Sequence, residues 1–477
     1  MLTATARNYL LYLLPSFVQG GVGLLMVPVT TYFLDPANIG VVALLMAVAM
    51  PVRAFAPAGA AWVIGGNYFN TTEAGRRAML FNVLVFELLL RSVLILLLFI
   101  AAEPVLRWLV VDYRPEYRHY LNLVLAASLA GSLWPTISYL MTVQSRPRPL
   151  ALFSLVQTFS GALTTIVCLA VLGLGVESLF LAMLVAACIS LAMELLYIVR
   201  FVDFSFERKW LREIVRTGLL SAPGGLAEVV SNMVDKMAIQ RWAGFDTLGL
   251  YSHSQNYQAI FKMLTSAFGR TLTTDGLKIY SQGLDPAPLE RKLSSWYGIL
   301  AVMGVGVALF SNDIIALLTH DKFTGSAPLV LIWYLLVFSV SHAVPYALYL
   351  MAQKRNRVLM YTQLVPTLAG IGLVGIGAYA YGVFGAAWAL LLTNVIIQAS
   401  RYLAAYRLGY RGIAERRFAE ALVVFVVLSL LDHLLAWTLL WEMVVSALVV
   451  PALVIRFGLL QELKRVFFRR EVGHLAE

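Results

Sequence analysis

The chain has 477 residues, of which 60% are hydrophobic and only 13% are charged, and its formal net charge is +10. This apolar share is far above that of a soluble domain, and at about 20 residues per membrane-spanning helix it is enough for about fourteen spans. Long runs made mostly of apolar residues, such as 83–100, exclude a β-barrel, whose strands alternate. The two cysteines lie in apolar runs and support neither a disulfide framework nor a metal cluster. The composition therefore predicts an all-α polytopic membrane protein.

In chain order, hydropathy predicts two groups of six spans and a final pair, about 14 transmembrane helices in all. The first group is 8–33, 39–64, 79–100, 121–143, 150–174 and 178–201, and the second is 217–243, 247–268, 296–318, 327–351, 359–379 and 383–406. The pair is 418–436 and 439–460. We expect an N-lobe over 1–207, a C-lobe over 208–416, and an appended pair with a cytoplasmic basic tail over 417–477.

The distribution of positive charge predicts the orientation in the membrane. Only four of the 36 Lys and Arg residues fall in loops on one face, namely Arg107, Arg114, Arg118 and Lys322. By the positive-inside rule the other face is cytoplasmic, and both termini lie there. Because the positive charge is spread over many short loops, the pattern also argues against a nucleic-acid partner.

An internal repeat is visible at an offset of 209 residues. The offset carries Gly40 to Gly249, Arg53 to Lys262, Gln144 to Gln353, Arg146 to Arg355, Arg148 to Arg357 and Gly173 to Gly382. Because each half has an even number of predicted spans, the two copies are expected to be parallel six-helix repeats.

Two cations inside predicted spans are the strongest candidates for binding a substrate. Arg53 lies about halfway along the second span, and Lys262 occupies the equivalent place in the eighth. Charges inside a membrane usually face a protein interior or a wet cavity, and two facing cations favour an anionic headgroup. The alternative is that each forms a separate ion pair or reaches the membrane surface.

Two carboxylates of the N-lobe also fall inside predicted spans. Glu87 and Arg91 have the i, i+4 spacing of a structural ion pair on one helix face, which is favoured over a functional role. Glu194 lies near the cytoplasmic end of the sixth span and is expected to reach the membrane surface.

The seventh predicted span is unusually polar. Glu228 and Asp235 are seven residues apart and share a helix face, so they form a candidate ion-coupling site for a proton or Na⁺. The alternative is that Asp235 pairs with Lys236 or Lys262.

No enzyme motif is present in the sequence. A Walker loop, an HExxH pair and a nucleophile elbow are all missing, and the short loops offer no room for a soluble catalytic domain. We therefore predict a protein that is not an enzyme and that uses no cofactor and no metal site.

The order of these features resembles a known superfamily. The chain has two six-helix halves with a final pair, and Pro15 lies early in the first span. It also has the turn LDPANIG at 34–40 and its counterpart FDTLGLY at 245–251. In this order of features it is similar to the multidrug/oligosaccharidyl-lipid/polysaccharide (MOP) exporters, and within them to the polysaccharide transporter branch of Wzx-type flippases. The resemblance implies MATE-like lobes that flip an undecaprenyl-pyrophosphate-linked oligosaccharide from the cytoplasmic to the periplasmic leaflet by alternating access. This activity serves exopolysaccharide or O-antigen synthesis at a bacterial inner membrane.

The resemblance also bears on residues and partners. The related lipid II flippases carry cavity arginines on the second and eighth spans, which Arg53 and Lys262 match by span and depth. The first span has no arginine beyond Arg7, unlike that of the lipid II flippases, and no carboxylate, unlike that of cation-coupled multidrug exporters. Implied partners are a lipid-linked glycan, membrane lipids, H⁺ or Na⁺, and polysaccharide-assembly proteins. The alternatives are a cation-coupled multidrug exporter or a membrane polysaccharide polymerase or ligase.

Overall fold

Every regular element that the structure describes is helical. The structure is a computed structural model and describes residues 4–55, 60–69 and 71–460; within these ranges some helical side chains, among them those of Arg53, Glu228 and Lys262, lie outside the described part. The α-helices are α1 (Ala4–Phe33), α2 (Pro36–Phe55), α3 (Ala60–Asn67), α4 (Glu73–Leu109), α5 (Pro115–Ala130), α6 (Trp134–Val143), α7 (Pro147–Ile166), α8 (Glu177–Ile198), α9 (Arg208–Gln282), α10 (Ala287–Thr319), α11 (Ala327–Ala352), α12 (Asn356–Arg407), α13 (Glu415–Leu435) and α14 (Leu439–Arg456). A π-helical turn, Val167–Val171, extends α7, and a 3₁₀ turn, Thr324–Ser326, precedes α11.

Ten helical segments of the described chain are long and apolar enough to cross a membrane. They confirm a multi-pass helical membrane protein. Only residues whose side chains are described count toward these segments, and many residues of α9 are not among them. The predicted total of fourteen spans therefore stays a prediction.

By its internal contacts the chain divides into two compact units. Unit 1 comprises residues 1–252 and 367–386, and unit 2 comprises 253–366 and 387–477. In unit 1, α7 packs against α1 and α8, while α5 packs against α2, α4 and α8. In unit 2, α10 is the central helix and packs against α11, α13 and α14. The expected division into lobes at 207 and 416 stays a proposal.

Two of the long helices are hairpins. In α9 the backbone leaves helical geometry at Gly244, with φ 82° and ψ 177°. Asp235 and Tyr251, 16 residues apart, would be about 24 Å apart along a straight helix, yet the Tyr251 hydroxyl lies 2.8 Å from Asp235 Oδ2. The chain therefore reverses at Gly244, between the predicted seventh and eighth spans. A second departure at Tyr381 and Gly382 divides α12 between its two predicted spans.

The predicted repeat has a counterpart in the backbone. After α6, Ser145 is left-handed (φ 53°), and the N–H of Arg146 donates to the carbonyl of Met141 at 2.8 Å. After α11, Lys354 is left-handed (φ 55°), and the N–H of Arg355 donates to the carbonyl of Leu350 at 3.0 Å. Both ends are the same Schellman cap, 209 residues apart. The two basic turns, after α6 and after α11, therefore have the same backbone conformation as well as a similar sequence.

A pair of repeat-related glycines forms a reciprocal contact inside unit 1. A Cβ added at Gly40 would overlap the carbonyl oxygen of Phe245, and one added at Gly249 would overlap the carbonyl oxygen of Pro36. The offset of 209 also relates Pro36 to Phe245. The start of α2 and the second arm of α9 therefore approach each other with twofold symmetry, at backbone-to-backbone distance. This contact explains why the turns 34–40 and 245–251 each carry a glycine.

We expect Gly249→Ala to destabilise the protein. In an open helical site, Gly→Ala stabilises by up to about 1 kcal/mol, whereas here the added methyl must displace backbone, and overpacking of this kind costs about 1–3 kcal/mol. Thermal unfolding of the purified protein in detergent measures the change. Gly306→Ala in α10 is the matched control, because a Cβ there meets nothing within 4 Å. Equal midpoints for the two variants would contradict the contact.

Candidate functional site

The two cations predicted to bind a headgroup both lie in helices, as expected for residues inside membrane spans. Arg53 is part of α2, and Lys262 is part of the second arm of α9. Their side chains, and that of Glu228 in the first arm of α9, lie outside the described residues. Their convergence on a cavity therefore stays a prediction.

Asp235, the other candidate for ion coupling, is fully buried where the two arms of α9 meet. Its Oδ1 accepts the backbone N–H of Lys236 at 2.7 Å and lies 3.3 Å from Lys236 Nζ. Its Oδ2 accepts the hydroxyl of Tyr251 at 2.8 Å. Pairing with Lys236, the alternative to an ion site, is thus present in this conformation. The role of Asp235 in coupling remains a prediction.

Glu87 and Arg91 lie together in the interior of unit 1. Arg91 Nη2 is 3.6 Å from Glu87 Oε1, and the two side chains are only 4% and 1% exposed. The Thr136 hydroxyl of α6 donates to Glu87, and Arg91 Nη1 donates to the carbonyl of Ser128 in α5 at 3.1 Å. The pair therefore links α4 to α5 and α6. Because neither charge reaches solvent, each depends on these partners.

A second buried carboxylate of unit 1 is Glu194. Glu194 in α8 was expected to reach the membrane surface, but its side chain is fully buried. The Ser190 hydroxyl donates to its Oε1 at 2.5 Å, and within the described residues its Oε2 has no hydrogen-bond partner. The expectation failed because α8 turns this residue toward its helix neighbours, which hydropathy along one helix does not reveal.

A cavity of about 910 Å³ opens beside this polar centre. Its described wall is formed by α1, α2, α5, α7 and α8, together with Arg91 of α4, the start of α6 and Val229 of α9. Most of the wall is apolar, with methionines such as Met46 and Met183. The polar side chains of the lining are Gln19, Thr30, Arg91, Ser128, Gln157, Thr158 and Thr165.

The chemistry of this cavity is that of binding. The amides and hydroxyls of the lining can bind water and hydroxyl-bearing groups. The Arg91 side chain is only 4% exposed and already contacts Glu87 and the Ser128 carbonyl. Within the described residues, no group of three or more His, Cys, Asp or Glu side chains is placed to hold a metal ion. The sequence predicted Arg91 inside a span but gave no sign of the cavity, because the described lining comes from eight helices.

Comparison with known families identifies the chain. The sequence model of the polysaccharide biosynthesis protein family matches residues 29–277, more than half of the chain. The chain belongs to this family. No curated protein sequence matches it.

Solved structures give the fold of this polysaccharide biosynthesis protein. The lipid II flippase MurJ in an inward closed conformation aligns with a TM-score of 0.68 and 14% identity, over 96% of this chain and 100% of that chain. An inward-facing multidrug resistance MATE transporter of the MOP superfamily aligns with a TM-score of 0.65 and 15% identity, over 87% and 95% of the two chains. A MOP superfamily transporter from Pyrococcus furiosus aligns with a TM-score of 0.57 and 15% identity, over 84% and 95%.

Family and fold together confirm the predicted resemblance. The protein has the fold of MATE and MurJ transporters and belongs to the polysaccharide biosynthesis protein family. At 14–15% identity the structural likeness establishes the fold and leaves the substrate to chemical argument.

Proposed function

We propose that this protein flips an undecaprenyl-pyrophosphate-linked oligosaccharide from the cytoplasmic to the periplasmic leaflet of a bacterial inner membrane. The family match over residues 29–277 carries the proposal, because it ties a chain with a transporter fold to polysaccharide biosynthesis. The likeness to a lipid II flippase along 96% of the chain adds support, since lipid II is itself a lipid-linked glycan. The glycan is an exopolysaccharide or O-antigen unit.

The proposed mechanism is alternating access between two lobes, residues 1–207 and 208–416, with 417–477 appended. Arg53 and Lys262 bind the pyrophosphate, because its two anionic groups suit an arginine and a lysine. A hydrated cavity solvates the sugars while the polyprenyl tail stays in lipid. Flipping makes and breaks no covalent bond, so the protein lowers a barrier of desolvation and needs no catalytic residue.

This function is tested by measuring on which leaflet of the membrane the lipid-linked glycan accumulates. In cells lacking the protein, we expect units to accumulate on the cytoplasmic leaflet, inaccessible to a glycan-modifying enzyme added from the periplasmic side. Accumulation of unpolymerised units on the periplasmic leaflet would instead indicate a polymerase or ligase. Normal glycan export with altered drug resistance would indicate a multidrug exporter.

Asp235→Asn is expected to change how transport depends on a proton or sodium gradient. The substitution keeps the size of the side chain and removes the charge that Lys236 and Tyr251 now contact. Transport in proteoliposomes with imposed pH or Na⁺ gradients measures the effect. Asp275→Asn on the same helix is the control, because Asp275 is 46% exposed in an ion pair with Lys292. If gradient dependence is the same in both variants, Asp235 has a structural role only.

A further inference from the structure

A second cavity of unit 1 lies at one end of its helices and is lined by arginines. It has a volume of about 530 Å³ and lies where α4 begins and where α6 and α8 end. Four guanidinium groups line it, those of Arg76, Arg77, Arg146 and Arg200. Among the described residues, the lining contains one carboxylate, Glu73, which is 2.7 Å from Arg77 Nη2. The basic pocket, as we call it, therefore carries a clear excess of positive charge.

Aromatic rings hold two of these guanidinium groups. The Arg76 guanidinium carbon lies 5.2 Å from the centre of the Tyr68 ring, and that of Arg146 lies 4.9 Å from the centre of the Phe201 ring. Rings of this kind position a guanidinium without neutralising its charge. Within the described residues, the Nε of Arg76 is buried and has no hydrogen-bond partner.

The wall of the basic pocket is built by polar contacts among distant segments. Gln144 donates through Nε2 to the Tyr68 hydroxyl at 3.0 Å and accepts the Tyr197 hydroxyl on Oε1, also at 3.0 Å. The left-handed cap at Ser145 then turns the chain so that Arg146 follows directly beside this wall. The pocket is therefore a formed structure and more than a cluster of charges that sets orientation.

The depth of the basic pocket indicates its ligand. The 22 residues of α8 are about 33 Å long, which matches the hydrocarbon thickness of about 30 Å, and Arg200 follows two residues after the end of α8. This is the depth of lipid phosphates. Phe69, also in the lining, is 74% exposed and places an apolar ring at the edge of the pocket.

We infer that the basic pocket binds the phosphate of an anionic phospholipid, with Arg76, Arg146 and Arg200 as its ligands. Basic pockets between transmembrane helices bind such headgroups, and a phospholipid brings a phosphate to this depth at high local concentration. The residues of this site differ from Arg53 and Lys262, to which the proposed function assigns the glycan, so the two proposals stand or fall independently.

A photo-crosslinking experiment on the full-length protein tests the inference. p-Benzoyl-phenylalanine replaces Phe69, the purified protein is mixed with phosphatidylglycerol or phosphatidylcholine in neutral detergent, and the lipid adduct is measured by mass spectrometry. We expect about tenfold more adduct with phosphatidylglycerol than with phosphatidylcholine, because the latter headgroup has no net charge. Arg76→Gln with Arg146→Gln should reduce the phosphatidylglycerol adduct to the phosphatidylcholine level.

Matched controls make the result specific. Arg355→Gln with Arg357→Gln removes two arginines from the repeat-related turn, which does not line the basic pocket, and should leave the adduct unchanged. Arg200→Gln, at an exposed position, should lower the adduct about fivefold even if the double variant at positions 76 and 146 folds poorly. The inference is overturned if both lipids give equal adduct or if Arg200→Gln and the double variant keep it. Displacement of phosphatidylglycerol by millimolar inorganic phosphate would overturn the lipid assignment in favour of a soluble anion.

Discussion

Arg91→Leu is expected to destabilise the protein by about 3–5 kcal/mol, the usual cost of removing one partner from a buried ion pair. The reason is that Glu87 is only 1% exposed and would lose its cation in the interior of unit 1. The carbonyl of Ser128 would also lose a donor. Thermal unfolding of the purified protein in detergent, followed by the yield of monodisperse protein, measures the loss.

The same helix supplies a matched control. Arg107 and Glu103 repeat the i, i+4 arrangement on α4 at 2.8 Å, but their side chains are 63% and 38% exposed. Arg107→Leu should therefore leave the unfolding midpoint nearly unchanged, because solvent screens exposed pairs. Combining Glu87→Gln with Arg91→Leu should restore part of the stability, since no uncompensated charge remains. Equal midpoints for Arg91→Leu and Arg107→Leu would show that the buried pair does not support the fold.

Arg53→Ala is expected to abolish glycan export while the amount of protein in the membrane stays the same. The expectation rests on the place of Arg53 in the second span, on its repeat partner Lys262, and on the need of a pyrophosphate for paired cations. Arg53→Lys should retain part of the export, because lysine keeps the charge but loses the bidentate geometry of arginine. Export in cells and flipping in proteoliposomes measure both variants.

A cation outside the predicted cavity serves as the control. Arg118 in α5 is 45% exposed and 3.0 Å from Glu103, so Arg118→Ala should export normally. Full export by Arg53→Ala would remove Arg53 from the mechanism, and it would leave the family assignment and the basic pocket untouched.

Some features of this protein could be predicted from sequence because they depend on local composition or on comparison of the chain with itself. Apolar runs predicted the helices, since a backbone in lipid must satisfy its hydrogen bonds within each segment. The offset of 209 residues predicted equivalent turns, and the left-handed caps at Ser145 and Lys354 have the same hydrogen-bond pattern. The spacing of Glu87 and Arg91 predicted that they would meet, because neighbours on one helix face need no tertiary information.

Other features were decided by the tertiary structure alone, because they depend on which distant segments pack together. Hydropathy placed Glu194 near a helix end but could not show that its face of α8 turns inward, so its burial was missed. The same limit hid the cavity beside Arg91 and the basic pocket, whose linings come from helices far apart in sequence. The sequence by itself determined the membrane class, the helices and the repeat, all of which follow from short-range patterns. Only the packing of the helices decided which charges are buried, which line a cavity and which stand together around the basic pocket, because a side chain's environment is made by its neighbours in space.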